Sequence, residues 1–151
     1  MFRLLSLCLL AALCFGADHS DIAVVVRSDV PVENVSFGDV KKLFPGDRQF
    51  WTSDLRVTLL VRAPVARERE VVLRTIYQMS EAQFRQYWIS KVFRAESVSG
   101  PRIVYSNEMA LELVSAIRGA VAFVSADQAP RTLKVLRIDG RLPGEKGYPL
   151  H

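Results

Sequence analysis

The chain has 151 residues, of which 50% are hydrophobic and 24% are charged, and its formal net charge is +4. This length and composition indicate a single folded domain with an ordinary core. The basic residues are dispersed, with no run longer than two. That pattern argues against a nucleic-acid-binding surface and indicates a solvated face or attraction to anionic partners.

Residues 1–17 are predicted to form a secretory signal peptide, because a basic Arg3 precedes an apolar run over residues 4–13 and small residues follow it. The run is too short to span a bilayer. We therefore expect an exported, periplasmic protein with no membrane span after cleavage. A retained anchor and lipidation of Cys14 are the weaker alternatives. Cys8 and Cys14 both fall in this segment, so the mature chain has no disulfide.

The mature chain alternates predicted strands with predicted helices, which indicates an α/β domain over residues 18–139 with a mixed sheet and helices on both faces. Segments rich in β-branched residues predict strands at 22–26, 57–61, 102–105, 120–124 and 133–138. Capping residues and apolar stripes at helical spacing predict helices over 36–44, 68–78, 80–93 and 106–118. The glycine- and proline-rich segment 140–151 is predicted to be a loose tail.

Two serines mark predicted helix starts. Ser36 is followed three residues later by Asp39, and Ser80 is followed by Gln83, which is a full capping box. Trp51 and Trp88 are predicted to be core residues, because large aromatic side chains contribute strongly to burial.

Motifs that carry catalysis are absent from the sequence. It has no Gly-rich phosphate loop, no nucleophile elbow, and no cysteine or paired histidines in the mature chain to hold zinc. We therefore predict a protein that is not an enzyme and that uses no cofactor and no metal.

The predicted ligand site lies where the strands end, because open α/β sheets bind ligands outside the carboxyl ends of their strands. Arg62 and Arg67 flank the turn between a strand and a helix, and guanidinium groups suit oxyanions. Ser28 and Ser106 also follow strands. These four residues are the predicted ligand-binding set. The alternative interpretations are that Arg62 pairs with a surface carboxylate, that Arg67 is a solvated helix residue, and that Ser106 only caps a helix.

Several ordered segments resemble those of the periplasmic phosphate-binding proteins of ABC transporters. They include Ser36-x-x-Asp39 running to Leu43-Phe44-x-Gly46, then Trp51, and finally Gly-Ala-Val-Ala-Phe-Val over residues 119–124. The resemblance implies a type II periplasmic-binding-protein fold. At about half the family's length, this chain corresponds to a single lobe, the second one together with the crossover strand.

The resemblance also implies where the chain departs from phosphate binding. Arg62 matches an arginine of the family's phosphate loop, but the Ser-Gly-Thr that follows there is Ala66-Arg67-Glu68 here. Two hydroxyl donors are lost and a negative charge is added. We therefore expect either weak binding of a small anion such as phosphate, for transport or sensing, or an envelope interaction module with a degenerate pocket that binds a sensor or transporter ectodomain.

Overall fold

The computed structural model describes residues 20–151, so the predicted signal peptide lies outside the described residues. The strands are β1 (Ile22–Arg27), β2 (Asn34–Val35), β3 (Phe50–Thr52), β4 (Leu55–Arg56), β5 (Thr58–Arg62), β6 (Arg102–Val104), β7 (Ala120–Ser125), β8 (Leu133–Val135) and β9 (Arg137–Ile138). The helices are α1 (Phe37–Leu43), α2 (Arg67–Val72), α3 (Glu81–Phe93) and α4 (Asn107–Ala116). A π-helical turn, Leu73–Tyr77, extends α2.

The central sheet has five strands in the order β6-β5-β7-β1-β8. Strands β5, β6 and β7 are parallel to one another, whereas β1 is antiparallel to both β7 and β8. The predicted mixed α/β sheet is therefore confirmed. The direction of β1 decides which loops share an edge of the sheet.

The core has two layers because the buried strands alternate their side chains between the two faces of the sheet. One face packs against α1, the extended α2 and α3, with Phe44, Phe123 and Trp88 among its large residues. The other face packs against α4 through small side chains such as Ala122 and Val114. Helices therefore cover both faces, as predicted.

The predicted helix caps are present. The Ser36 hydroxyl accepts a hydrogen bond from the Asp39 N–H, and Ser80 and Gln83 form the complete capping box. Both tryptophans are buried, and Trp51 donates its indole N–H to the carbonyl of Gly119 at 2.9 Å. The Ser36–Trp51 segment is thus packing that connects the first strand to the sheet.

The segment 140–151 is not a loose tail, and this prediction is wrong. Tyr148 and Leu150 are buried, and the Ile22 N–H donates to the Leu150 carbonyl at 2.8 Å. The Tyr148 hydroxyl donates back to the Ile22 carbonyl at 2.6 Å. Five glycines and prolines in twelve residues suggested disorder, but two large apolar side chains among them are enough to hold the segment against β1.

Candidate functional site

Strands β5, β6 and β7 deliver three polar side chains to one edge of the sheet. Arg62 is the last residue of β5, Asn107 begins α4 just after β6, and Ser125 is the last residue of β7. Because these strands are parallel, their carboxyl ends lie together. This edge is where the sequence analysis predicts the ligand site.

The space between these three side chains is filled by the carboxylate of Glu68, from the first turn of α2. The Asn107 amide and the Ser125 hydroxyl each donate to Oε1 of Glu68 at 2.9 Å. Nη1 of Arg62 lies 3.2 Å from Oε2 of Glu68 and donates to Oδ1 of Asn107 at 2.7 Å. Arg62, Glu68, Asn107 and Ser125 form what we call the Glu68 cluster.

The Glu68 cluster is neutral and largely removed from water. The Arg62 and Glu68 side chains are only 14% and 9% exposed. Burial on its own raises the pKa of the Glu68 carboxyl. The hydrogen bonds from Asn107, the backbone and Ser125, together with the charge of Arg62, outweigh burial and hold that pKa below its usual value. Glu68 is therefore an anion at neutral pH.

Arg69 links the Glu68 cluster to α3. Its guanidinium makes a two-pronged contact with Glu81, at 2.7 and 2.8 Å, and donates to the backbone carbonyl of Arg62 at 3.0 Å. It also lies over the Phe84 ring, 4.8 Å from the centroid. This arrangement fixes the end of β5, from which Arg62 extends, relative to α3.

Two of the predicted ligand residues reach the same edge as Arg62 but not the cluster. The Arg67 guanidinium donates to the Ser20 carbonyl at 2.7 Å. The Ser106 hydroxyl accepts from the Met109 N–H at 3.0 Å and so caps α4, which was the alternative interpretation. The side chain beside it, Asn107, makes the contact with Arg62 instead.

Ser28 lies at the opposite edge of the sheet, so the predicted convergence of four residues is wrong for this one. Strand β1 is antiparallel to β7, and its register pairs Ile22 with Ser125 and Val26 with Val121. Ser28 follows the far end of β1 and is exposed. The prediction assumed that all strands end at the same edge of the sheet. Strand β1 runs in the opposite direction to β7, so Ser28 follows it at the other edge.

Sequence reasoning missed Asn107, Ser125 and Arg69. Asn107 and Ser125 each follow or end a predicted strand, as Arg62 does, so strand-end position was the available signal. Arg69 and Glu81 lie far enough apart in the chain that only the packing of α2 against α3 reveals their pairing. The sequence analysis expected Glu68 to bring a negative charge to this turn, and the carboxylate lies between Arg62, Asn107 and Ser125.

A second feature of this half of the molecule is an apolar groove of about 860 Å³ between α3 and β6. Its exposed apolar side chains include Ile89, Val92, Phe93 and Ile103, and Phe93 is 90% exposed. Within residues 20–151, β6 pairs only with β5 and forms the edge of the sheet. The groove therefore lies beside an open strand.

Within residues 20–151, no three His, Cys, Asp or Glu side chains lie together as metal ligands would. Over the same range, none of the helices combines the length and the apolar character that a membrane span requires.

Neither the protein-family models nor the curated proteins contain a match to this sequence. Solved structures do match its fold. A phosphate ABC transporter substrate-binding protein of Clostridium perfringens, with bound phosphate, superposes with a TM-score of 0.67 at 15% identity over 82% of this chain. An ABC-type phosphate transport receptor of Vibrio cholerae gives 0.65 at 19% identity over 82%. PstS of Borrelia burgdorferi gives 0.69 at 15% identity over 87%.

The chain is thus a single lobe with the fold of phosphate-transport binding proteins, and the predicted resemblance is confirmed at the level of fold. It spans 47%, 48% and 54% of those three chains, or about half of each. These neighbours are binding proteins rather than enzymes. The bound phosphate is a property of the Clostridium perfringens protein.

Proposed function

We propose that this protein is an exported, non-enzymatic interaction module that keeps the fold of a phosphate-binding lobe but uses it to bind a protein partner. Its oxyanion site is closed by its own Glu68. The observation that carries this proposal is that one carboxylate occupies the centre of the site: Nη1 of Arg62, the Asn107 amide and the Ser125 hydroxyl all contact Glu68. A free anion would have to displace a carboxylate that is tethered to the same chain.

Displacement of Glu68 by a free oxyanion is unfavourable for two reasons. The displaced carboxylate would remain near the entering anion, and like charges at close range repel strongly in a partly dry site. The tether also holds Glu68 at a high effective concentration relative to a dissolved ligand. A phosphate-carrier function therefore receives less support than an interaction function.

The α3–β6 groove is the surface proposed for the partner. Arg85 lies at this groove and Arg102 beside it, and both are exposed. Glu81, the one carboxylate among the described lining residues, pairs with Arg69 and is also near Arg85. An exposed apolar groove with basic side chains around it suits a segment with apolar residues flanked by aspartate or glutamate. The proposed occupant is such an acidic, apolar segment of an envelope protein, an ectodomain of a sensor or transporter.

A peptide selection tests the partner class. Random 12-residue peptides displayed on phage are selected against the mature protein. We expect enriched peptides that combine apolar residues with Asp or Glu and that lose binding to Phe93→Asp. Val65→Asp is the matched control, because Val65 is fully exposed outside the groove. Either an absence of enrichment or equal binding to Phe93→Asp contradicts the proposal.

Export rests on residues 1–17 of the sequence. Expression in a Gram-negative host followed by intact-mass measurement of the periplasmic fraction tests it. The expected mass lacks about 17 residues. Recovery of the full-length chain from the cytoplasm alone contradicts export.

The second candidate is weak oxyanion binding for transport or sensing. It is favoured by one observation: Nε of Arg62 is buried and has no hydrogen-bond acceptor within residues 20–151. A thermal-shift screen against phosphate and sulfate tests it, because a ligand specific to the native state raises the melting temperature. A saturable rise at millimolar anion would favour this candidate over the interaction module.

A further inference from the structure

A separate pocket of about 410 Å³ lies at the other edge of the sheet. It is formed where β5 and β6 begin, between the turn after α1, the β3–β4 hairpin and the loop that leads into β6. Its lining includes Arg48, Arg56, Arg102, Thr58 and Trp88. The Glu68 cluster lies at the carboxyl ends of the same parallel strands, so the two sites are at opposite edges.

The pocket has an unbalanced positive charge. Three of its lining residues are arginines and none is an aspartate or a glutamate. Within residues 20–151, no carboxylate forms an ion pair with Arg48, Arg56 or Arg102, and the nearby acidic residues are committed elsewhere. Asp47 pairs with Lys91 at 2.8 Å, and Glu96 pairs with Arg94 at 2.8 Å.

Two of these arginines are held in place through Phe50. Nε of Arg48 donates to the Phe50 carbonyl at 3.2 Å, and the Arg56 guanidinium lies 5.0 Å from the centroid of the Phe50 ring. Strands β3 and β4 place Phe50 opposite Arg56. Arg48 and Arg56 are exposed and form no ion pair within residues 20–151, so an anion that enters the pocket is attracted by both.

Trp88, which lines both this pocket and the α3–β6 groove, has an unused hydrogen-bond donor. Trp88 is only 7% exposed, and its indole Nε1 is buried with no acceptor within residues 20–151. Buried indole N–H groups usually have a partner. The other tryptophan, Trp51, has one, the Gly119 carbonyl.

We propose that this pocket binds a small organic polyanion, a compact molecule that carries two or more carboxylate or phosphate groups. The three guanidinium groups recognise the anionic groups. The apolar wall formed by Leu43, Leu59 and the Trp88 ring accommodates the body of the molecule. The volume is within the range of small-molecule sites, about 300–1,000 Å³. This inference does not require the interaction function proposed above, although Arg102 lies beside both surfaces and Trp88 lines both.

The test is a ¹H–¹⁵N titration of the two indole N–H signals of the mature protein, because the chain contains only two tryptophans. Citrate supplies carboxylates in one arm and pyrophosphate supplies phosphates in another. We expect the Trp88 signal to move along a saturable curve in at least one arm, while the Trp51 signal stays in place. Arg56→Gln should weaken binding about tenfold, as expected for a lost charge-assisted hydrogen bond.

Arg131→Gln is the matched control, because it removes the same charge from an exposed position outside the pocket. We expect its affinity to stay within about twofold of the wild type, since screened surface charges act weakly at a distance. The proposal is overturned if neither polyanion gives a saturable shift, if sodium chloride at matched ionic strength moves the Trp88 signal equally, or if Arg131→Gln weakens binding as much as Arg56→Gln.

Discussion

Arg62 and Glu68 form a buried ion pair between the end of β5 and the first turn of α2, with Nη1 3.2 Å from Oε2. The two residues are close in the chain, and the turn between them brings them face to face. The carboxylate supplies the negative charge that balances Arg62 at this edge of the sheet. The pair therefore belongs to the folded structure itself, and its loss should be measurable as stability.

Glu68→Gln removes the charge and keeps the size of the side chain. We expect the free energy of unfolding to fall by about 3 kcal/mol, because Arg62 is left buried without a counter-charge. Urea denaturation of the mature protein measures this change.

Two comparisons sharpen the Glu68→Gln result. Glu96→Gln breaks an exposed pair with Arg94, so it should cost less than about 0.5 kcal/mol. The double variant Arg62→Met, Glu68→Leu should recover most of the loss, because it removes both charges from the buried site. Equal losses for Glu68→Gln and Glu96→Gln would show that burial of the pair has no energetic consequence.

The stability of the protein should depend on acid pH through Glu68 and Glu81. Burial raises the pKa of Glu68, but the hydrogen bonds to its carboxylate and the charge of Arg62 have a larger, opposite effect, so the pKa is lowered overall. The hydrogen bond from Arg69 lowers the pKa of Glu81. A folded-state pKa below the unfolded value stabilises the fold above the unfolded pKa, and this stabilisation is lost as the pH falls through the folded pKa.

The curve of unfolding free energy against pH should therefore be flat above about pH 5.5 and should fall below about pH 4.5. In Glu68→Gln the fall should be shallower, and the remainder should reflect Glu81 and other carboxylates. Urea denaturation at a series of pH values provides the curve. An identical acid dependence in the wild type and the variant would contradict the assignment to Glu68.

The layered α/β fold was predictable because its buried strands are short and β-branched and its helices have clear caps at Ser36 and Ser80. The edge of the site was predictable in part, since parallel strands end together. The placement of Ser28 was not, because the antiparallel direction of β1 depends on its pairing with β7 and β8. Burial of Tyr148 was also hidden, since its partner Ile22 is 126 residues away.

Gly119 should be intolerant of any side chain. It has φ +87°, and a Cβ there would meet the backbone carbonyl oxygen of Arg56 at far less than contact distance. We expect Gly119→Ala to cost more than about 3 kcal/mol. Gly140→Ala is the matched variant, because φ is +77° but no atom lies within 4 Å. It should cost only about 1 kcal/mol of backbone strain. Similar melting temperatures for the two variants would argue against the close approach.

Deletion of residues 148–151 should destabilise the protein by at least about 3 kcal/mol, because it removes the buried Tyr148 and Leu150 side chains. Deletion of His151 alone should cost less than about 0.5 kcal/mol, since that residue is exposed. Denaturant midpoints of the two shortened proteins measure the difference. A negligible effect of the longer deletion would show that residues 148–151 do not stabilise the fold.

Calorimetric titration of inorganic phosphate into the mature wild-type protein and into Glu68→Thr tests most directly whether Glu68 closes the proposed oxyanion site. We predict no saturable heat for the wild type at millimolar phosphate. For Glu68→Thr we predict saturable binding, because the donors of Arg62, Asn107 and Ser125 become available and the threonine adds a hydroxyl. Tight phosphate binding by the wild type that Arg62→Gln abolishes would contradict the account, and so would a folded Glu68→Thr variant that binds no phosphate.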